Sequence, residues 1–492
     1  MINKVQFTAD LSLSFFDFKK NLNDSSKLHI KNFNEDILIR GVSIDSRFIS
    51  PGNIFFAING KNFDGHKFLK IVKKNDAAGA VVERNNPNYV IDELIDENFF
   101  LVEEDNPLDF LYHLSKYRRE QLRSKIISVT GSNGKTTSKE MIAEILVEEF
   151  KKEKIYSTFG NQNNHIGVPL NILRIKNEIS YSVIEIGMNH PGEIRHLSDL
   201  VKPDVALITN AQREHQEFMK SIEATAIENG SSILSLSPKG YAVFPRDFNN
   251  ESIWVSNAKK MDSKIIRFGL NKDLTQFSGL DFYKEIIGEI KQSVPLNLQI
   301  NISGKKNFML RLNGFGEQFA RNALSAIAIG VVLKIPLEKI ICSLEKFSPV
   351  KGRGNFHKLK NGSILVDDTY NANPDSMEAA IFALKKFAGP RCIVLGDMGE
   401  LGEQSLQSHE EVIKLAASNL DKVFLYGDEF SRAFKNINQG DLCMSFLSLE
   451  KKLTEWLKKE SVGLKKPAIW IKGSRFMSLE NIVSKLISSR KI

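Results

Sequence analysis

A short glycine-rich turn that ends in a lysine and two threonines is the part of this sequence best equipped for chemistry. The turn spans residues 131–137 and reads GSNGKTT. Glycines let backbone N–H groups close around phosphate oxygens, and the N-terminus of a following helix adds partial positive charge. A lysine at this place reaches the β- and γ-phosphates of a nucleotide, and a threonine hydroxyl binds Mg2+. The predicted ATP-binding residues here are Gly131, Ser132, Asn133, Gly134, Lys135, Thr136 and Thr137.

The sequence on both sides of the turn predicts the strand and the helix that must hold it. The run at 126–130 is rich in β-branched residues, as in a buried strand. Apolar residues then recur on one helical face from Met141 to Leu146. Val129 stands where the common phosphate loop has its first glycine, so this loop is a shorter version of it. The alternative, an ordinary glycine turn with an exposed lysine, agrees poorly with the flanking strand and helix.

Polar side chains follow two further predicted strands in the central part of the chain. Strand-like runs at 181–186 and 205–210 carry Glu185 near the end of the first and His215 shortly after the second. Strands that alternate with helices predict a parallel sheet, and ligands collect at the carboxyl ends of its strands. We therefore expect Glu185, His215 and Lys135 at one sheet edge, where the carboxylate and the imidazole could bind Mg2+. The alternatives are a buried carboxylate paired with a lysine and a surface histidine.

Three other polar stretches are candidates for binding a substrate. The loop at 43–47 follows a strand-like segment and could hold a diphosphate or a nucleoside, although the same residues suit an ordinary turn with a capping aspartate. The amide-rich stretch 157–169 suits the lining of a polar pocket. A predicted strand at 363–368 leads into an asparagine-rich stretch at 369–376. The candidate substrate-binding residues of the first two stretches are Ser43, Asp45, Ser46, Arg47 and Asn161.

Length and composition limit the classes of protein to which this chain can belong. The chain has 492 residues, which predicts about two to four domains, and its apolar share of 42% and charged share of 26% are ordinary for a globular protein. Its three cysteines have neither disulfide nor metal spacing and predict a reduced, cytoplasmic setting. The sequence starts without a signal pattern, and no apolar run approaches the roughly 20 residues of a membrane span. The net charge of +8 suits polyanionic small substrates, while dispersed lysines argue against a nucleic-acid partner.

Taken together, these motifs resemble the Mur ligase family, the ATP-dependent acid–amine ligases of cell-wall synthesis. The similar motifs are the phosphate loop, Glu185-Ile-Gly187, the stretch 210–215, Asn322-Ala-Leu324 and Arg353. Five further stretches are similar to those of the members that add D-alanyl-D-alanine to a UDP-N-acetylmuramoyl tripeptide, at 43–47, 63–66, 367–377, 394–398 and 472–475. The likeness covers essentially the whole chain, and the Asn-Ala-Asn-Pro sequence at 371–374 is its most specific part.

The resemblance implies an α/β fold of three domains. Residues 1–118 would bind the UDP end of the substrate, residues 119–348 would form a P-loop ATPase-like parallel sheet, and residues 349–492 would form a Rossmann-like doubly wound sheet. In the implied reaction, the peptide carboxylate attacks the γ-phosphate of ATP, and the amine of D-alanyl-D-alanine displaces phosphate from the resulting acyl phosphate. The expected enzyme is a cytoplasmic monomer that acts in peptidoglycan precursor synthesis.

The resemblance also implies roles for single residues. Lys135, Mg2+ and Arg353 would neutralise the charge that builds up when a carboxylate attacks ATP. His215 is the third predicted catalytic residue. The other implied roles are Mg2+ binding by Thr136, Glu185 and His215, adenine and ribose contacts by Asn322 and Asp368, and dipeptide or nucleotide contacts by Tyr370, Asn371 and Asn373.

Two positions depart from the family pattern. Members usually have a carbamylated lysine fourteen residues after the histidine, and Asn229 stands at this place. Another group must then orient the second Mg2+, and the candidates are Glu228, Glu214, Glu217 or Asn229 itself through a water. The family's Gly-x-His pattern has Gln318 in place of its histidine, which predicts a different contact with adenine.

Two other functions fit parts of the sequence. A folylpolyglutamate synthase would belong to the same superfamily, but the block from Ser43 to His66 argues against it, because folate ligases begin near the phosphate loop. A nucleotide-dependent binding or scaffold protein without ligase activity is supported only by the missing carbamylated lysine.

Overall fold

The computed structural model describes residues 8–22, 24–60, 63–247, 249–277, 282–303 and 306–489. It shows an α/β protein with three sheets, which confirms the predicted fold class. The described residues divide into two compact units. The first comprises Met1–Ser128, Glu153–Met188 and Arg195–Pro203, and the second comprises Val129–Lys152, Asn189–Ile194 and Asp204–Ile492. The domain boundaries expected near residues 118 and 348 stay predictions.

The N-terminal sheet has six strands in the order β1-β3-β4-β5-β6-β2. Its elements are β1 (Thr8–Ser14), α1 (Phe15–Lys20), β2 (Lys27–His29), β3 (Leu38–Ser43), β4 (Asn53–Phe56), α2 (Leu69–Lys74), β5 (Gly79–Glu83), α3 (Ile91–Leu94), β6 (Phe100–Glu104) and α4 (Pro107–Gln121). The four inner strands are parallel, and β1 and β2 join the two edges antiparallel. One face buries a phenylalanine cluster in which Phe18 lies 5.3 Å from both Phe100 and Phe110, measured between ring centres.

The central sheet has nine strands in the order β15-β14-β13-β12-β11-β10-β7-β9-β8. Its elements are β7 (Lys125–Thr130), α5 (Lys135–Phe150), β8 (Ile155–Ser157), α6 (Gly167–Arg174), β9 (Tyr181–Glu185), α7 (Glu193–Val201), β10 (Val205–Ile208), α8 (Gln216–Met219), α9 (Ile222–Gly230), β11 (Tyr241–Pro245), α10 (Glu251–Lys260), β12 (Lys264–Leu270), β13 (Lys284–Ser293), β14 (Leu296–Ile302), β15 (Lys306–Leu312), α11 (Gly316–Val332) and α12 (Leu337–Lys346). Strands β10 to β13 are parallel to one another, as the sequence predicts.

The end of this sheet differs from the parallel sheet expected from the sequence. Strands β13, β14 and β15 form an antiparallel meander in which Ile286 pairs with Ile302 and Leu298 with Leu310. The buried residues of β14 alternate strictly with less buried ones, as in a strand that covers a core with one face. This alternation, from Leu296 to Ile302, is the signal that would have predicted the meander.

The C-terminal sheet has six strands in the order β16-β17-β21-β18-β19-β20. Its elements are β16 (Asn355–Lys358), β17 (Ile364–Asp368), α13 (Pro374–Leu384), β18 (Arg391–Gly396), α14 (Ser405–Asn419), β19 (Lys422–Tyr426), α15 (Asp428–Ile437), β20 (Asp441–Cys443), α16 (Phe446–Glu460), β21 (Ala468–Lys472) and α17 (Glu480–Ser488). All neighbours except β16 and β17 pair in parallel, and buried apolar residues lie on both faces. This is the doubly wound arrangement expected. Within the part of the chain that the structure describes, no helix is both long and apolar enough to cross a membrane.

Candidate active site

The predicted phosphate loop lies between β7 and α5 and has the backbone geometry that its glycines allow. Gly131 has φ +121° and Gly134 has φ +84°, values that side-chain-bearing residues rarely adopt. There is also no space for a side chain at either position. A Cβ on Gly134 would lie within 3.0 Å of several atoms of the Asn322 amide, and one on Gly131 would lie 2.9 Å from the backbone nitrogen of Thr209. Asn322 thus lies against the loop, and its contact with a nucleotide stays a prediction.

Three polar side chains fix the loop, and the motif itself did not reveal them. The Oδ1 atom of Asn229 accepts a hydrogen bond of 2.7 Å from the backbone N–H of Gly131. The Asn210 amide binds both the N–H and the C=O of Asn133, each at 2.9 Å. The Thr209 hydroxyl donates to the same carbonyl at 2.7 Å. The loop is therefore held in shape by the protein itself, which reduces the entropy that a phosphate must overcome on binding.

Asn229 has a structural contact at each end of its amide. Besides accepting from Gly131, it donates to the carbonyl of Thr225 at 3.1 Å, and the residue is buried. Its neighbour Glu228 accepts from the backbone N–H groups of Gly192 and Ile194 at 2.9 and 2.8 Å, at the start of α7. The carboxylate of Glu228 is thus occupied by a helix N-terminus, which removes it from the candidates for orienting Mg2+.

Lys135 is the first residue of α5, and its ammonium group turns back over the loop. It donates to the carbonyls of Gly131 and Ser132 at 2.5 and 3.2 Å and to Oε1 of Glu214 at 2.8 Å. The Lys135 side chain is 14% exposed and that of Glu214 is 8% exposed. The structure therefore adds Glu214 to the site as the direct partner of the predicted catalytic lysine.

His215 lies in a left-handed backbone conformation, with φ +46° and ψ +45°, immediately before α8. Such a conformation is uncommon for a residue with a side chain and is often found at functional positions. The Nδ1 atom of His215 lies 2.8 Å from Oε2 of Glu400, a close contact without the alignment of a hydrogen bond. This contact lowers the pKa of Glu400. The predicted catalytic histidine is thus oriented by a carboxylate from the loop after β18.

Glu185, the other predicted Mg2+ ligand, belongs to the first compact unit. It is buried, its Oε1 accepts from the Asn163 amide at 2.8 Å, and its backbone N–H donates to the Thr158 hydroxyl at 3.0 Å. Among the described residues, no three His, Cys, Asp or Glu side chains cluster closely enough to hold a metal ion. Mg2+ usually retains waters and phosphate oxygens as ligands, so a site built by Thr136 and few protein carboxylates suits it. The magnesium roles of Thr136, Glu185 and His215 stay predictions.

The asparagine-rich stretch of the C-terminal part contacts the phosphate loop. The amides of Asn133 and Asn373 exchange two hydrogen bonds of 3.3 and 3.1 Å. Asn373 also caps α13 by accepting from the backbone N–H of Ser376 at 2.9 Å. Two residues further on, Asp375 accepts from the backbone and the guanidinium of Arg213 at 2.6 to 3.0 Å. The sequence did not single out Arg213, whose role depends on this distant aspartate.

The other predicted residues of the C-terminal part lie near one another at the ends of β17 and β21. Asp368 accepts from the Lys472 ammonium at 2.9 Å and from the Trp470 indole at 3.1 Å. Lys472 also donates to the backbone carbonyl of Asn371 at 2.9 Å. The guanidinium carbon of Arg353 lies 3.8 Å from the centre of the Tyr370 ring, a cation–π distance. Arg353 thus has an aromatic partner for its guanidinium.

Gln318 occupies the place of the family's histidine and touches the predicted adenine contact. Its Nε2 donates to Oδ1 of Asn322 at 3.2 Å, across one turn of α11. A hydrogen-bonding partner for Asn322 is therefore present, although its chemistry differs from that of a histidine.

The N-terminal candidates form a compact polar turn within the first compact unit. Asp45 accepts from the backbone N–H of Arg47 at 3.0 Å and from its guanidinium, with Nη2 to Oδ2 at 2.6 Å. This pairing with Arg47 lowers the pKa of Asp45. Ser43 is buried and bonds to the backbone of Asp45, while the Arg47 side chain is 61% exposed.

The remaining substrate-binding candidate, Asn161, is exposed, and the amide that binds Glu185 is instead that of Asn163. Substrate binding by these residues stays a prediction.

Comparison with known proteins agrees with this geometry. Three family models match the chain: the Mur ligase family, catalytic domain, at residues 38–110; the Mur ligase middle domain at residues 129–330; and the Mur ligase, glutamate ligase domain at residues 352–457. The UDP-N-acetylmuramoyl-tripeptide--D-alanyl-D-alanine ligase of Buchnera aphidicola is 35% identical over 93% of this chain and 96% of its own length.

Solved structures give the same result. A crystal structure of MurF from Acinetobacter baumannii has a TM-score of 0.83 and 29% identity, covering 98% of this chain and all of its own. The fold is also shared by the MurF ligase of Thermotoga maritima in complex with ADP, with a TM-score of 0.74 and 24% identity over 90% of this chain and 96% of its own. The chain therefore belongs to the Mur ligase family and is an ATP-dependent ligase.

Proposed function

We propose that this chain joins D-alanyl-D-alanine to a UDP-N-acetylmuramoyl tripeptide in peptidoglycan precursor synthesis, with ATP and Mg2+. The relatives that match nearly the whole chain carry the name of this ligase. The observation that supports the proposal most within the molecule is the amide pair between Asn133 and Asn373. It joins the loop that would hold ATP to the stretch most specific for the D-alanyl-D-alanine-adding members.

The reaction has two steps, and both need negative charge to be neutralised. First, an oxygen of the tripeptide carboxylate bonds to the γ-phosphorus of ATP, and the bond to ADP breaks. The amine of D-alanyl-D-alanine then bonds to the acyl carbon, inorganic phosphate leaves, and the amine loses a proton. Lys135 would stabilise the charge on the transferring phosphoryl group, because preorganised cations act strongly where water is excluded. Arg353, held against the Tyr370 ring, would add a second fixed cation.

The remaining residues would bind and orient the substrates. Thr136, Glu185 and His215 would hold Mg2+, which would supply positive charge against the phosphates when bound. Asn322 would contact adenine, Asp368 the ribose, and Tyr370, Asn371 and Asn373 the dipeptide or the nucleotide. The turn with Ser43, Asp45, Ser46 and Arg47, together with Asn161, would bind the UDP substrate. The chain would act as a cytoplasmic monomer with three domains. The UDP substrate would bind to residues 1–118 and ATP to residues 119–348, and residues 349–492 would form the ligase domain.

Product analysis tests the substrate assignment. The purified chain is incubated with ATP, Mg2+ and the UDP-N-acetylmuramoyl tripeptide, and the products are identified by mass spectrometry. We expect the UDP-linked pentapeptide with D-alanyl-D-alanine, and no product when the dipeptide is replaced by L-glutamate. A glutamylated product formed with a folate acceptor would support a folylpolyglutamate synthase and contradict the proposal.

A further inference from the structure

The Lys135 ammonium has no free hydrogen left for a phosphate. A lysine has three N–H donors, and here three oxygens accept them: the carbonyls of Gly131 and Ser132 and Oε1 of Glu214. A nucleotide phosphate that binds this loop must therefore replace at least one of these partners. The carbonyls belong to the loop itself, so Glu214 is the partner that a phosphate can displace without rebuilding the loop.

Glu214 is itself an unusual residue, because it is a buried carboxylate with an unused oxygen. The residue is 7% exposed, and Oε2 has no hydrogen-bond partner among the described residues. Besides Lys135, the Nε2 atom of His215 lies near this carboxylate, at 3.8 Å from Oε1. A buried anion with an unsatisfied oxygen is costly unless a further positive charge or donor approaches it. The carboxylate thus lies between the predicted catalytic lysine and the predicted metal-binding histidine, with capacity to bind another cation.

We propose that Glu214 is a positioning residue that exchanges Lys135 for Mg2+ when nucleotide binds. The nucleotide phosphate takes the Lys135 ammonium, and the released carboxylate then supplies negative charge to the Mg2+ that accompanies the nucleotide. In this chain Glu214 would provide the anionic charge that other family members obtain from a carbamylated lysine, at the site where Asn229 instead supports the loop. The inference rests on the proposed ATP site, and it predicts a thermodynamic coupling between nucleotide and Mg2+ that Glu214 carries.

Nucleotide binding measured with and without metal tests this coupling. Calorimetry gives the Kd for ADP in EDTA and in saturating Mg2+ for the wild type, Glu214→Gln and the control Glu223→Gln, which removes a similar charge from an exposed residue in the first turn of α9. Without metal, Glu214→Gln should bind ADP about tenfold more tightly than the wild type, the scale of one charge-assisted hydrogen bond. Adding Mg2+ should increase affinity less in Glu214→Gln than in the wild type, while Glu223→Gln should follow the wild type.

A double-mutant cycle shows whether Glu214 acts through Lys135. In a Lys135→Ala background, the metal-free gain from Glu214→Gln should fall to less than about threefold, because no lysine remains to be released. An equal gain in both backgrounds would mean that Glu214 only repels the phosphate, and it would overturn the proposed exchange. Equal Mg2+ effects in the wild type and Glu214→Gln would also overturn it while leaving the ligase assignment intact. A wild type that binds no ADP under either condition would contradict both the exchange and the proposed ATP site.

Discussion

Asn133 in the phosphate loop and Asn373 at the start of α13 are joined by two amide hydrogen bonds, although 240 positions separate them in the sequence. Each amide donates to the oxygen of the other, so the pair is reciprocal. Asn373 additionally caps α13, and Asp375 in the first turn of that helix binds Arg213. The loop predicted to bind ATP and the helix that follows the asparagine-rich stretch therefore share a polar contact.

The first prediction concerns this amide pair. Asn133→Ala and Asn373→Ala should each lower kcat/KM, and the double variant should be no slower than the slower single variant, because both changes remove the same contact. Asn373→Ala should also cost about 1 kcal/mol of stability through loss of its helix cap, and Asn133→Ala should not. Steady-state kinetics and chemical denaturation measure both effects. Strictly additive losses in activity would show that the two amides act independently.

The second prediction concerns the N-terminal turn. Arg47→Ala should raise KM for the UDP substrate much more than KM for ATP, because an exposed guanidinium fork suits a diphosphate. Arg432→Ala is a matched control, since Arg432 is also exposed and pairs with a nearby carboxylate, that of Glu429. Equal changes in both constants for Arg47→Ala would mean that the turn is structural, with Arg47 serving only to hold Asp45.

The third prediction concerns Asn229. Removing carbon dioxide and lowering bicarbonate should leave the activity of the wild type unchanged, because asparagine cannot form a carbamate. Asn229→Lys should be nearly inactive at every bicarbonate concentration, since a lysine leaves the buried N–H of Gly131 without its acceptor, at a cost of about 1–3 kcal/mol. Rescue of Asn229→Lys by bicarbonate would contradict the structural role assigned to this amide.

The fourth prediction concerns pH and the buried His409 in the C-terminal part. Its Nε2 accepts from the backbone N–H of Met398 at 3.1 Å, and its Nδ1 lies 2.7 Å from the carbonyl of Ser405. Burial lowers the pKa of His409, although the carboxylates of Asp397 and Glu429 favour the charged ring. The unfolded chain therefore takes up the proton first, so this contribution to stability is complete above about pH 6.5 and is lost as pH falls through the lower folded pKa.

Denaturation of the wild type and His409→Gln at several pH values checks this expectation. The wild type should lose stability between pH 7.5 and pH 5.5, and His409→Gln should be less stable at pH 7.5 but show a shallower decline. A parallel decline in both proteins would show that another group controls the acid sensitivity.

The sequence predicted those parts of the site that depend on local motifs. The turn at 131–137 contains in itself the glycines, lysine and helix start that define a phosphate loop, and the structure has this geometry. The partners of the loop, Asn229, Glu214 and Asn373, come from distant parts of the chain, and no local pattern specifies which atoms meet. In the sequence, Asn229 differs from the family pattern without showing a role, and its contact with Gly131 explains why an amide suits that place.

In the fold as well, elements set by the local sequence were predicted, and pairings set by contacts between distant residues were not. Strand-like runs in the sequence predicted β7, β9 and β10 of the central sheet and β17 of the C-terminal sheet. The meander of β13, β14 and β15 was not predicted, although alternation in β14 indicated it. Pairing of these strands is set by contacts across the sheet, which a single strand's sequence only suggests.

The most direct test of the proposed function is ADP release by the purified wild type and by Lys135→Ala. The control is Lys152→Ala, a change at an exposed lysine two residues after the end of α5. We expect the wild type and Lys152→Ala to release ADP only when the UDP-N-acetylmuramoyl tripeptide and D-alanyl-D-alanine are both present. Lys135→Ala should remain folded by circular dichroism and lose at least about a hundredfold in kcat, or roughly 3 kcal/mol of transition-state stabilisation. Near-normal turnover by Lys135→Ala would contradict the account, and so would ADP release that does not depend on either substrate.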